Sequence, residues 1–386
     1  MDRGETFKLL GLGLALVVLL LINKYDLLSA SSRQALWPRI VAWWQLYRRW
    51  FILGGCALLM LVISVPTIRF IRSRRTQAAI IQQVANGPTM LLLPRSDWKP
   101  VDSGKVNLWA RLADALPHDE HVSFELSGND VDSFFGLHAS SEGLRATFTQ
   151  IKAEWSGVQS RPVGTGEPGV IEDPARVPDE WFLWWCELAP VTWDKPIEAL
   201  SDDPLRSVLI EINGVSGNGR GMLQVVAKRD FGVRKRLGQA AFSARDAVTP
   251  SKGVQAIRRQ EAKTFEGRAQ KTFLQASIRT VGLADTPERA QVVARGLARA
   301  VAASFSASNP IRRTAEGDDP ERVLERRMGK AGPWASDELA YLGHLVGGDM
   351  QAVAPRLQTA AAQSMPADPE MRILPSHDTA RFAELN

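Results

Sequence analysis

Between Trp50 and Ile68 the chain runs for nineteen residues without a charge, WFILGGCALLMLVISVPTI. Coiled as a helix, such a stretch reaches roughly 28 Å, close to the thickness of a bilayer's hydrocarbon core. An earlier run, LLGLGLALVVLLLI over Leu9 to Ile22, is shorter, but Lys8 and Lys24 at its ends extend the usable span by snorkelling. A secretory signal peptide is the competing reading of this first run, although LSA before Ser31 makes a poor cleavage site. Between the two runs, Trp37, Ile40, Val41, Trp44 and Tyr47 share one helical face beside Arg48 and Arg49, a composition suited to a membrane interface. The expectation is a membrane hairpin over residues 1–75, with spans at about 7–24 and 50–68. Its first partner would be the lipid bilayer.

Charge divides along the same line. Residues 1–75 hold eleven Lys and Arg against three Asp and Glu, a net of +8, while the rest of the chain holds 36 against 39, a net of −3. The basic excess therefore belongs to the N-terminal segment, and the overall balance of +5 gives no argument for contact with DNA. Basic residues on the two sides of the hairpin are nearly matched, so charge alone does not orient it. Two cysteines, Cys56 and Cys186, build no disulfide framework, which leans toward a reducing compartment.

The remaining chain alternates strand and helix patterns. HVSFELSG and SFFGLHAS read as two strands around the turn residues Gly128, Asn129 and Asp130, and Ser140 or Ser141 opens a helix with Leu144, Phe148, Ile151 and Trp155 on one face. After a Pro-rich and acidic stretch, WFLWWCELAP reads as a strand. FLQASIRTVGL and the helix started by Thr286 and Pro287 repeat the order of strand then capped helix. The expected fold is α+β: the hairpin, a first α/β unit over 76–160, a linker over 161–180, and a related second α/β unit over 181–306. A charged connector with a short helix over 307–348 and a poorly ordered tail over 349–386 would complete it.

Chemistry-bearing patterns are scarce. Gly214, Gly217, Gly219 and Gly221 follow a helix marked by Leu205, Val208, Leu209 and Ile212, so they sit at its negative end rather than at an anion-binding N-terminus. They read as a helix-to-strand turn using left-handed backbone angles. No G-x-x-x-x-G-K-[ST] occurs, and the G-x-G-x-x-G at Gly164, Gly166 and Gly169 contains Pro168 and lacks a strand before it. His118 and His121 form H-x-x-H without a third ligand nearby, and Cys186 lies among tryptophans, where a thiol is inert. No catalytic, cofactor or metal site is expected.

Four stretches resemble the membrane-proximal half of the ATPases of type IV secretion and conjugative DNA transfer: HVSFELSGNDVDSFFGLHASSEGLRATFTQIKAEW, DDPLRSVLIEINGVSGNGRGMLQVVAKRD, FLQASIRTVGLADTPERAQVVARGLARAV and SDELAYLGHLVG. The resemblance covers residues 90 to 350. It implies structural roles for Asp203, Pro204 and Leu205 at a helix start, and for Glu338, Leu339, Leu342 and His344 in the motif Glu-Leu-x-x-Leu-x-His. Leu345 and Val346 depart from the Leu-Pro that often follows this motif, and the P-loop motor that comes next in the family has no counterpart before Asn386. The resemblance implies a multi-pass inner-membrane protein with a cytoplasmic soluble part. Such a component would be non-catalytic, would bind no cofactor, and would work with a separate P-loop motor and other secretion or conjugation proteins, self-association being compatible with that role and direct DNA contact unsupported. The alternative is a stand-alone membrane scaffold unrelated to DNA transfer.

Overall fold

The computed structural model describes residues 38, 42, 45, 60, 64–72, 75–76, 78–95, 102–117, 120–155, 157–163, 180–200, 203–216, 218–246, 252–329, 332–346, 350 and 352–360. The chain divides into two compact units, Met1–Thr76 and Gln77–Asn386.

The N-terminal expectation is corrected. In the first unit the described residues are helical, and most of the expected spans over 7–24 and 50–68 lies outside them. Among the described residues no helix is long and apolar enough to cross a membrane. The helical residues described at 64–72 and 75–76 include Arg69, Arg72 and Arg75. The hairpin and the multi-pass inner-membrane placement therefore have no support. The fold class is corrected with them, to a mixed α/β chain built on one antiparallel sheet.

That sheet is assembled from two similar halves. The first runs β1 (Thr89–Leu93), α1 (Asp102–Ala115), β2 (His121–Gly128), β3 (Ser133–His138), α2 (Ser141–Glu154) and β4 (Gln159–Pro162). The second runs β5 (Phe182–Pro190), α3 (Leu205–Asn213), β6 (Gly219–Arg229), a helical pair α4 (Val233–Asp246) and α5 (Lys252–Ala269), then β7 (Phe273–Ala284), α6 (Pro287–Ala303) and β8 (Ile311–Gly317). A short helix α7 (Pro320–Leu324), strand β9 (Gly332–Ala335) and a single turn α8 (Ser336–Leu339) follow. The strand order is β4-β1-β3-β2-β6-β7-β5-β8, with β9 on β7. Each half thus has the βαββαβ order of a ferredoxin-like split unit, and the two are joined edge to edge where β2 pairs with β6 from His121↔Lys228 to Gly128↔Gly221. In the second half α4 and α5 replace the tight turn that links β2 to β3.

Local chemistry explains the elements. Asn129 makes the β2–β3 turn: its Oδ1 accepts the Val131 and Asp132 N–H groups at 2.9 and 3.0 Å, while its Nδ2 donates to Gly219 O at 3.1 Å. Ser140 caps α2 by accepting the Gly143 N–H, and Thr286 followed by Pro287 starts α6. Alternation along the strands sends Val122, Phe124, Leu126, Leu223, Val225 and Ile278 to one face. There they meet Trp109 and Leu112 of α1, Leu144 and Ile151 of α2, Val208 and Ile212 of α3, and Leu297 and Val301 of α6, forming one continuous core. Part of the stretch read as a charged connector is strand β8, and Met350, Ala354 and Leu357 of the stretch read as a tail are buried in the core.

The glycine turn at 214–221 departs from the expected backbone. Gly214 closes α3 with φ −79°, and among the described residues only Gly157 and Arg326 have positive φ. Close packing accounts for Gly219 and Gly221 instead: a Cβ at Gly221 would lie 3.0 Å from Leu297 Cδ1, and one at Gly219 would lie 3.1 Å from Val215 Cγ1. Gly217 lies outside the described residues.

The same logic separates two other glycines. At Gly282 on β7 an added methyl would strike Ala290 O and lie 2.7 Å from Ala294 N, whereas at Gly238 in α4 nothing stands within 4 Å. Gly282→Ala should destabilise the chain by about 2–3 kcal/mol, and Gly238→Ala should stabilise it by about 0.5–1 kcal/mol. Urea denaturation of the two variants against the parent checks both signs.

Candidate functional site

The positions singled out in the sequence converge where the 332–346 segment folds back onto the second half. Asp203 precedes α3 and uses its two carboxylate oxygens differently: Oδ1 accepts the Leu205 N–H at 3.0 Å, and Oδ2 lies 3.0 Å from His344 Nε2. His344 Nδ1 lies 2.8 Å from Ala340 O. Both ring nitrogens thus lie within hydrogen-bond distance of an oxygen. The ring is fully buried. The pair ties the 332–346 segment to the start of α3.

Glu338 is held still more completely. Its carboxylate pairs with both terminal nitrogens of Arg268, at 3.0 Å for Nη2 to Oε2, and accepts the Ile197 and Ala335 N–H groups at 3.0 and 2.9 Å. Arg268 also stacks over Phe273, its Cζ 5.3 Å from the ring centroid. One carboxylate thereby fastens α5, β9, α8 and the loop at 197. Leu205, Leu339 and Leu342 are buried in the core, and Pro204 directly precedes α3. The structure thus joins Asp203 to His344 and gives each motif position a tie or a packing role.

On the opposite face of the sheet lies a cluster that sequence reasoning missed. Glu125, Gln224, Arg279 and Glu187 stand in direct register across β2, β6, β7 and β5, and all four are completely buried. Gln224 Nε2 donates to Glu125 Oε1 at 3.0 Å, Arg279 Nη1 donates to Gln224 Oε1, and Arg279 Nη2 lies 3.7 Å from Glu187 Oε1. The 320–327 turn covers the row. Its Arg326 Nε donates to Glu125 Oε1 at 3.0 Å and its Arg322 Nη2 to Glu187 Oε2 at 2.9 Å, while the carbonyls of Arg322 and Arg327 accept from Arg279. Burial lowers the Arg279 pKa to about 10, with Glu187 opposing the shift, and the guanidinium remains a cation at neutral pH. Arg326 adopts φ 48°, a left-handed conformation for a residue with a Cβ, in the turn that brings its guanidinium to Glu125.

Cys186 is buried, and its thiol pKa is raised first by burial and then by Glu316, whose Oε2 is 3.8 Å from Sγ. His118 lies outside the described residues. His121 is pushed down to about 4, mainly by burial and further by His138 and Lys228. Among the described residues no group of three or more His, Cys, Asp and Glu could hold a metal ion. No family model matches this chain, and the comparison with curated proteins returns no match.

Two outcomes follow from these environments. Arg279→Met takes a buried cation from Glu187 and a donor from Gln224 and from two carbonyls of the 320–327 turn, and should cost on the order of 3–5 kcal/mol in denaturation. Arg322→Ala, which removes a partly exposed partner from Glu187 alone, should cost about 1–2 kcal/mol.

His121 supplies the pH dependence. Its folded pKa lies below the unfolded value, so between pH 6.5 and about 4 the unfolded chain binds the extra proton, and stability falls as pH drops through that window. Its share is on the order of 2–4 kcal/mol. Melting curves of His121→Gln across pH 4 to 7 should show a flatter slope than the parent; an unchanged slope removes His121 as the source.

Proposed function

We propose that this chain is a non-catalytic assembly component of a conjugative DNA-transfer or type IV secretion ATPase, supporting a motor supplied by another chain. One observation carries the reading: Asp203 and His344, which anchor two separate stretches of the family resemblance, meet at 3.0 Å in a buried tie. Motif positions brought together in this way have the character of a shared structural framework. The full engagement of Asp203, Glu338 and His344 favours a framework over a reaction centre. The sequence carries no P-loop that could bind nucleotide in this chain.

The test pairs the chain with a P-loop ATPase encoded beside it. Alone, the chain should hydrolyse ATP at background rate; mixed with that ATPase, it should co-elute from a sizing column and raise the DNA-stimulated turnover. His344→Phe, which breaks the tie to Asp203, should weaken co-elution. ATP turnover by the chain alone, abolished by a single substitution in it, would sink the proposal. Unchanged DNA transfer after deletion of the gene would favour the second reading, a scaffold unrelated to transfer.

A further inference from the structure

Strand β8 ends the main path of the sheet and pairs with β5 along one edge only. Between it and α6 lies an open groove of about 670 Å³. Val292 and Ala302 of α6, beside the buried Leu188 and Ile311, give the groove an aliphatic floor, and four arginines line its walls: Arg295 and Arg299, four residues apart on α6, and Arg312 and Arg313, adjacent on β8. A carboxylate already sits among them. Glu316 receives Arg295 through Nε at 3.0 Å and Nη2 at 2.8 Å, and Arg313 through Nη1 at 2.9 Å. Arg299 and Arg312 have no ion-pair partner among the described residues.

Sheet edges are commonly blunted by charge or by a bulge, and β8 has both, with a register break opposite Glu187 and Leu188. A basic edge repels a second basic edge and selects a partner of opposite sign. Guanidinium groups take carboxylates or phosphates equally well, so the floor decides between them. Surfaces that hold single-stranded nucleic acid interleave arginine with aromatic platforms on which bases stack. None of the residues lining this groove is aromatic, and its aliphatic floor offers a phosphodiester chain nothing. An extended peptide with alternating acidic and apolar side chains uses both features, one side on the floor and the other toward the arginines.

We infer that the α6–β8 groove binds an extended, acid-rich segment of a partner protein. Its carboxylates pair with Arg299 and Arg312, as Glu316 does with Arg295 and Arg313, and its apolar side chains lie on Val292 and Ala302. This inference does not depend on the DNA-transfer reading. Fluorescence anisotropy of a labelled peptide alternating Val and Glu, titrated with the full chain, tests it. Binding should saturate, and should weaken by about tenfold or more in the exposed-site variant Arg299→Ala/Arg312→Ala. Arg259→Ala/Lys263→Ala on α5 removes the same charge elsewhere and should change the affinity by less than about twofold. Absence of saturable binding overturns the proposal, as does equal weakening by the two double variants, which would reduce the effect to net charge. Tighter binding of labelled oligo-dT, lost in Arg299→Ala/Arg312→Ala, assigns the groove to nucleic acid and overturns it as well.

Discussion

Arg279 is the constraint around which the second half is arranged. A guanidinium at the centre of a sheet, fully out of water, persists only if nearby groups replace its hydration. The replacements come from both sides along the register, Gln224 and Glu187, and from above, where the 320–327 turn lends two carbonyls. That turn in turn depends on Arg322 and Arg326 reaching Glu187 and Glu125. Each half contributes: Glu125 belongs to β2 of the first, and the other three members of the row to the second. The polar row therefore crosses the β2–β6 junction and couples the two split units on the face opposite the main core, beneath α7. Mis-registering β2 against β6 by one residue would turn Glu125 into the apolar core, so the row also specifies register.

The helix-covered face is held by different physics. Its core is aliphatic and aromatic, and its polar ties lie at the periphery, where Asp203, His344, Glu338 and Arg268 lock the returning chain against α3 and α5. Glu338 accepts four hydrogen bonds, two on each carboxylate oxygen. The terminal strands β4 and β8 and the exposed sides of α4 and α5 lie away from these ties.

Elements with strong periodicity were legible in the sequence: the strands at 121–128 and 133–138, the capped helices at 141–154 and 287–303, and the helix, glycine turn and strand from 205 to 229. Legible too was the recurrence of strand then capped helix. Joining the halves into one sheet was not, because β2 and β6 pair across a separation that local patterns do not encode. The apolar run at 50–68 carried a membrane reading on composition alone, and the helical residues described at its end carry arginines that such a reading had placed outside the span. Glu125, Gln224, Arg279 and Glu187 escaped notice because a polar residue alternating with apolar ones along a strand looks like one that faces water. The signal present was their position: four neighbouring strands, each with a charged or amide residue near its middle. Asp203, Glu338 and His344 could be singled out, but their partners in space could not.

The replacement of a tight turn by the α4–α5 pair bears on how the chain can vary. β6 and β7 pair from Gly219↔Ala284 to Arg229↔Leu274, so the ends of this excursion are pinned at neighbouring backbone positions. Relative to the short β2–β3 connection, the excursion is roughly ten times longer, yet closing it costs only about 2 kcal/mol more, since loop entropy grows with the logarithm of length. Lengthening it further would cost still less per residue. The far end of α4 and α5 is thus a permissive insertion point, where a domain, tag or reporter can be added in evolution or in the laboratory while the eleven-residue ladder at its base keeps the sheet in register.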